Sequence, residues 1–370
     1  MRQVTHAFPD GGDNTPLAWT RGMRPPAEPV PRVRNVQPDV LGRGGKVLAL
    51  SATENRVAFA MGGPNAFCGR LHVRLIGAAA DSFSSNPCAG GDTLTAVQAN
   101  ADLVAWVLLH GDTGAGDDDY YCLYAADASG SIRGINRRYG CDLRYVKCHV
   151  PMLGWGWDPL SLGGTGDLIA AGNVNFGYCP REEKRALPTV VRVEPGRATR
   201  LVYAGLKLRF LDADSGHLLL ADGPRILVVY DSRGAMLRVL RLRAPVTAAM
   251  LDGSRVVLLS GRALGVRDLW SGRAVARMVI PRSLGRLTLD DAAGGLVAYT
   301  QGAVIHVVRF ADHRDAPIWI HDLAQVGRVM LTPSGLVVGA QVSGRRRGGV
   351  VAFVPEAQLS DALARSARSR

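Results

Sequence analysis

From Leu206 to Pro355, short apolar runs alternate with small polar turns at a nearly fixed spacing. Ser215-Gly216 precedes His217-Leu218-Leu219-Leu220, and Asp252-Gly253 precedes Val256-Val257-Leu258-Leu259. Gly294-Gly295 precedes Leu296-Val297-Ala298-Tyr299, and Ser334-Gly335 precedes Leu336-Val337-Val338-Gly339. The turn glycines Gly216, Gly253, Gly295 and Gly335 stand 37, 42 and 40 residues apart. A period near 40 with short apolar strands predicts an all-β chain folded as a β-propeller, each repeat being one meander of four strands. The runs Ile226–Tyr230 and Val304–Val308 are almost continuously apolar, as strands covered on both faces should be. Helical spacing is scarce before the last dozen residues.

The first half keeps the pattern less strictly. Strands are expected at Val47–Leu50, Arg56–Ala60 and Leu71–Ile76, turning at Glu54-Asn55. A second repeat turns near Asn100 and holds Leu103–Leu109 and Tyr121–Ala125; a third turns at Thr165-Gly166. The turns at Asn55, Asn100, Gly166, Gly216, Gly253, Gly295 and Gly335 predict seven blades. The early intervals of 45, 66 and 50 residues exceed the later period, and the excess must be loops. Residues 1–30, with Pro9, Pro16, Pro25, Pro26 and Pro29, read as an extended, partly disordered arm. Residues 31–357 form the propeller as a single domain, and 358–370 a basic C-terminal tail. The last repeat lacks a fourth strand after Val350–Val354, so residues 31–37 are expected to pair there and close the ring.

Two sets of residues carry a family resemblance. Val266-Arg267-Asp268-Leu269-Trp270-Ser271-Gly272 and Val229-Tyr230-Asp231-Ser232-Arg233-Gly234 resemble the strand-then-turn ending of WD40-type blades. Leu331-Thr332-Pro333-Ser334-Gly335-Leu336, and Trp157-Asp158-Pro159 followed by Asp167-Leu168-Ile169-Ala170, are similar to the Trp-Ser-Pro-Asp-Gly turn of TolB-type, WD40-like repeats. The resemblance implies the propeller fold and no particular activity. Gly-His occurs once, at Gly216-His217, and no repeat ends in Trp-Asp, so the hydrogen-bond network of true WD40 repeats is not carried over.

Composition adds bounds. The 370 residues are 47% apolar and 21% charged, as in ordinary globular proteins. Forty of the 44 basic residues are Arg, a bias that reads as GC-rich bacterial codon usage. The formal charge is +12, yet Arg is scattered singly except at Arg345-Arg346-Arg347 and in the tail with Arg365, Arg368 and Arg370. That favours a solvated basic surface over a nucleic-acid stripe, with general attraction to anionic polymers or lipid head groups as the alternative. There is no apolar run long enough to span a membrane, and residues 1–30 hold no signal-peptide core.

All six cysteines, Cys68, Cys88, Cys122, Cys141, Cys148 and Cys179, fall in the irregular half. An even number in loop-rich insertions reads as disulfide stapling in an extracytoplasmic protein, secreted or at the cell surface. The given chain would then lack its export segment, or its start is misassigned. Neighbour pairing, Cys68–Cys88, Cys122–Cys141 and Cys148–Cys179, is the simplest of the 15 connectivities. Six reduced thiols are the bland alternative; a zinc site is disfavoured because Cys141, Cys148 and His149 lack ligand spacing.

Candidate chemistry is sparse. No nucleophile elbow, phosphate loop, dinucleotide fingerprint or His-Glu-x-x-His is present. Asp117, Asp118 and Asp119, with Asp112 before and Tyr120 after, could hold Ca²⁺ but lack alternating ligand spacing, so a solvated acidic loop is favoured. Trp155 and Trp157 could stack on sugar or peptide, or pack between blades. His306 in its apolar strand reads as a satisfied blade residue. The expectation is a monomeric, non-catalytic binding or scaffold propeller. It would recognise a protein or cell-envelope polymer through inserted loops of blades two and three, without cofactor or metal. The alternative is a lyase or hydrolase with a polar, metal-assisted site in the central channel, drawing on Asp290, Asp291, His313 and His321.

Overall fold

The computed structural model describes residues 34–36, 38–63, 67–88, 92–110, 120–127, 132–134, 161–163, 169–174, 189–194, 197–203, 208–214, 216–282, 286–320, 323–342 and 348–366. The described chain starts with β1 (Arg34–Val36) and β2 (Asp39–Gly44). The first sheet holds β3 (Lys46–Ala52), β4 (Arg56–Gly62), β5 (Arg70–Leu75) and β6 (Phe83–Ser85). The second holds β7 (Thr93–Ala99), β8 (Leu103–His110), β9 (Tyr120–Asp127) and β10 (Ile132–Gly134). β11 (Ser161–Gly163), β12 (Ala170–Val174), β13 (Thr189–Glu194) and β14 (Arg197–Tyr203) make the third. The fourth is β15 (Leu208–Ala213), β16 (His217–Asp222), β17 (Ile226–Asp231) and β18 (Met236–Arg241). The fifth is β19 (Ala248–Asp252), β20 (Arg255–Ser260), β21 (Ala263–Asp268) and β22 (Ala274–Val279). The sixth is β23 (Leu287–Ala293), β24 (Leu296–Gln301), β25 (Val304–Arg309) and β26 (Arg314–Ile320). The last run is β27 (Leu323–Thr332), β28 (Gly335–Val342) and β29 (Gly348–Pro355), followed by α1 (Glu356–Ala364).

The seven expected turns thus resolve into six blades, each cut from one continuous run of chain, and a further sheet assembled from both ends, β2-β29-β28-β27. Apolar side chains explain why the sheets stand in a ring. They do not gather in one core; they form a cluster at every junction between neighbouring sheets, including the one joining the composite sheet to the first. Each sheet buries both faces, which is why its middle strands can be continuously apolar. β20, with Val256, Val257, Leu258 and Leu259 all buried, is an instance.

Three expectations are corrected here. The strand that completes the composite sheet is Asp39–Gly44, antiparallel to β29 with Val40 opposite Ala352, and not residues 31–37. Arg34–Val36 is a strand, but it joins the sixth sheet as a fifth strand, parallel to Ile318–Ile320. The sequence Asp-Val-Leu-Gly-Arg-Gly hides its strand because glycines occupy places where a side chain would collide. A Cβ on Gly42 would lie 2.8 Å from Phe59 Cε2, and one on Gly349 would lie 2.6 Å from the Val47 nitrogen. Third, the tail expected at 358–370 is helical through Ala364, with Leu359, Ala362 and Leu363 buried against the sixth and composite sheets. The Arg314 guanidinium donates to the carbonyls of Leu363 (2.9 Å) and Ala364 at the helix end, where carbonyls have no partner within the helix. The 1–30 arm lies outside the described residues. Among the described residues no helix is long and apolar enough to cross a membrane.

Candidate functional site

The first strands of the sheets lie against one another around the ring and form its inner wall. At three junctions a polar side chain of the first strand stitches its sheet to the next. Ser51 Oγ accepts the Ala99 N–H at 3.0 Å, Asp212 Oδ2 the Leu251 N–H at 2.8 Å, and Asp291 Oδ2 the Leu331 N–H at 2.6 Å. All three occupy one repeat position, four residues before the turn residues Asn55, Gly216 and Gly295. Asp212 and Asp291 each follow a β-bulge, and each turns its other oxygen to the next residue's N–H at 2.9 Å. The bulge re-aims the side chain along the wall. Burial pushes these carboxyls up, Asp212 to about 7 and Asp291 to about 6, against the pull of their N–H donors. Asp290 beside them is pushed by burial to about 8, and its Oδ2 has no hydrogen-bond partner among the described residues. The buried Arg328 guanidinium is the counter-charge to all three; burial draws it down to about 10, and it stays protonated at neutral pH.

A second repeated device lies further out. Phe59 stacks on His72 at 5.0 Å and Tyr299 on His306 at 4.5 Å, each across neighbouring strands. In both sheets the histidine Nδ1 meets an aspartate nine residues on, Asp81 at 2.7 Å and Asp315 at 2.9 Å. Asp315 also accepts the Tyr299 hydroxyl at 3.0 Å, so His306 is a satisfied blade residue, as its strand suggested. Beside His72, an open cleft of about 380 Å³ runs between β2 and the first sheet, over Phe59 and Met61. Three of its charged groups, His72, Arg74 and Asp81, bind one another. Burial alone would raise the Asp81 carboxyl, but His72 and Arg74 hold it below the usual range, and Arg74 also donates to the Leu41 carbonyl at 2.6 Å across the closure seam.

The outer strands of the fourth and fifth sheets differ from both. Six of the nine large apolar residues exposed among the described positions lie on them or the turn between: Met236 (62%), Leu237, Val239, Trp270, Val275 and Val279 (64%). β18 and β22 share one burial pattern, with a single buried residue each, Leu240 and Met278. Both follow the turns that resemble WD40 blade endings. Asp231 Oδ1 caps the first by accepting the N–H of Arg233 and Ala235; Asp268 caps the second by accepting the Ser271 N–H at 2.6 Å and hydroxyl at 2.7 Å. Arg238 on β18 donates to the Trp270 and Ser271 carbonyls, joining the two sheets, while the Trp270 ring stands edge-on to His217 at 5.4 Å. The arginines are not evenly scattered after all. Residues 208–279, which span the two sheets, hold eleven Arg against six Asp, with no Lys or Glu, so +5 of the chain's +12 sits there. This charge count, and apolar residues in a last strand that should face solvent, were signals available in the sequence.

The expected site residues fare unevenly. Trp155, Trp157, Asp117, Asp118 and Asp119 lie outside the described residues, as does His321; Tyr120 opens β9 opposite His110. His313 is an exposed turn residue with φ 56°, apart from the inner wall that holds Asp290 and Asp291. Cys68 and Cys88 are joined by a disulfide; Cys122 is in β9, and Cys141, Cys148 and Cys179 lie outside the described residues. Among the described residues no three His, Cys, Asp or Glu side chains are placed to hold a metal ion.

No family model and no curated protein matches the chain. Solved structures do. A chain of the mitotic checkpoint complex is 13% identical, with the match covering 92% of this chain and 98% of that one at a TM-score of 0.52. The C-terminal WD40 domain of Sif2 is 10% identical over 87% of this chain and 99% of that one, TM-score 0.49. Apo AztD from Citrobacter koseri is 11% identical over 82% and 77%, TM-score 0.43. At such identities the likeness is one of fold, and it agrees with the ring of four-stranded sheets: the chain has the fold of a WD40-like β-propeller.

Proposed function

We propose that the chain is a non-catalytic binding or scaffold propeller, acting as a monomer on a partner protein. One observation carries this reading: the inner-wall carboxylates Asp212 and Asp291 spend both oxygens on backbone N–H groups, while apolar side chains collect on an exposed basic surface. Large exposed apolar patches mark interaction sites more often than they occur by default. The enzyme alternative would draw on Asp290 and Asp291, whose raised pKa values are of the kind found at reactive sites. Both are buried beside Arg328, and their role as structural supports of the ring is the reading we adopt.

The inserted segments of the second and third sheets, with Asp117–Asp119, Tyr120, Trp155 and Trp157, are proposed as a second contact for protein or cell-envelope polymer. That part stands on the sequence alone. The Cys68–Cys88 disulfide supports an oxidising, extracytoplasmic setting for a secreted bacterial protein. The test is cross-linking of the tagged chain in its native host, with partners identified by mass spectrometry. Parent, a Trp155→Ala/Trp157→Ala variant and a Leu237→Ser/Val239→Thr variant are compared. A partner enriched by the parent and lost in either variant supports the reading; no partner above a mock control overturns it.

A further inference from the structure

We propose that the outer edge of β18 takes up an extended acidic segment of a partner protein as an added strand. The inference rests on the binding reading above and names its surface and the chemistry of the partner. Each blade ends in an edge strand, whose outward N–H and C=O groups can pair with another chain. The sixth sheet shows what an occupied edge looks like. There β1 lies parallel along β26, and the apolar side chains Ile318 and Ile320 beneath it are almost wholly buried. β18 stands at the corresponding place in the fourth sheet, and among the described residues no strand pairs with its outer edge. Its apolar residues Met236, Leu237 and Val239 remain exposed, beside Trp270 of the neighbouring sheet.

Charge selects the occupant. Residues 232–251, which contain β18, carry Arg233, Arg238, Arg241 and Arg243 and no acidic residue. Residues 269–289, which contain β22, carry Arg273, Arg277, Arg282 and Arg286 and likewise no acidic residue. A second copy of these strands would bring like charges together. An extended peptide alternating apolar and acidic residues satisfies the backbone edge, the apolar positions and the arginines at once; strand addition of this kind takes affinity from the main chain and specificity from alternate side chains. A nucleic acid or sulfated polymer would use the arginines alone, leaving the apolar positions and the backbone edge unused.

Fluorescence anisotropy on the whole chain, with a labelled ten-residue probe alternating Val and Asp, tests this. A probe of identical composition with two central prolines cannot extend a sheet. The expected result is binding of the first probe, with no binding of the proline probe. Leu237→Ser/Val239→Thr and Arg241→Glu, at exposed positions, should each weaken it about tenfold or more, as central contacts of an interface do. Circular dichroism and melting of these variants should match the parent. The inference is overturned if the parent ignores the alternating probe, if the proline probe binds equally well, or if heparin competes and the Leu237→Ser/Val239→Thr variant keeps full affinity, which marks a polyanion surface. Should host cross-linking then still yield a partner that is lost with Trp155→Ala/Trp157→Ala, the binding reading stands and only the β18 edge is wrong.

Discussion

Asp291 and Leu331 are forty residues apart in the chain, yet the carboxylate Oδ2 of one accepts the backbone N–H of the other at 2.6 Å across two neighbouring sheets. Asp212 and Leu251 repeat the relationship at 2.8 Å. The position therefore fixes sheets to one another, and its removal is a test of ring stability. Asp291→Ala leaves the Leu331 and Ala292 N–H groups without their acceptor and takes a counter-charge from Arg328. An orphaned buried donor costs about 1–3 kcal/mol, so the urea midpoint should fall by at least that equivalent. A midpoint equal to that of the parent would show that the bond is incidental.

The same wall predicts a pH dependence. Folding raises Asp290 to about 8, Asp212 to about 7 and Asp291 to about 6, chiefly through burial, from an unfolded value of about 4. Between those limits the folded chain binds more protons than the unfolded one, so stability falls as pH rises from about 4 to about 8. The lowered carboxyls Asp81, Asp268 and Asp312 act with the opposite sign, but only as pH falls into the range below about 4. Melting temperature should accordingly decline from pH 5 to pH 8, and Asp290→Asn should flatten the decline. A melting temperature that climbs over this interval contradicts the assignment.

Strands were legible where burial on both faces left long apolar runs, as in β16, β20, β24 and β28, and their turns were legible because glycines mark them. What a period cannot show is pairing between the two ends of a chain. Asp39–Gly44 has one buried residue, Leu41, in six, so nothing in its own pattern identifies a strand. The partners of Asp212 and Asp291 were hidden for a related reason: a bulge shifts the register by one residue, and no sequence spacing reports it. The outer surface of the fourth and fifth sheets was readable from charge. Its arginines appear singly along the chain, so the excess shows only when charges are counted over the whole segment 208–279 and not in runs.

Closure depends on close backbone approach, and this gives a prediction at Gly45. A Cβ there would run into the Gly62 carbonyl oxygen, and Gly45 also supplies the carbonyl that accepts the Gly349 N–H. The collision is with backbone, so no side-chain rotation relieves it. Gly45→Ala should lower stability by about 1–3 kcal/mol, the usual cost of overpacking. Gly265→Ala makes a control for the substitution itself, because the nearest atom to its Cβ position, the Ala276 carbonyl oxygen, is 3.7 Å away and its backbone is not in the left-handed region. Equal melting temperatures for Gly45→Ala and the parent would remove the close-approach account of the seam.

The disulfide tests both stability and setting. Cys68 and Cys88 enclose a sequence separation of 20 residues and lie partly buried against the apolar cluster between the first and second sheets. They hold the β4–β5 loop next to the chain entering β7, where the Leu94 N–H donates to the Phe67 carbonyl at 3.0 Å. A link of that span contributes about 3 kcal/mol by restricting the unfolded chain. Cys68→Ser/Cys88→Ser should therefore lose roughly that amount in chemical denaturation. The loss should be matched by the parent in reductant, and reductant should leave the double variant unmoved if this bond dominates. Because the bond also fixes one loop locally, hydrogen exchange at Leu94 should quicken in the variant more than at Leu258, deep in the fifth sheet. Uniform exchange at both sites would mean that the bond acts only on the unfolded chain. Protein recovered from its native compartment with Cys68 and Cys88 alkylated as thiols would remove the disulfide from the working molecule, and with it the support for an extracytoplasmic setting.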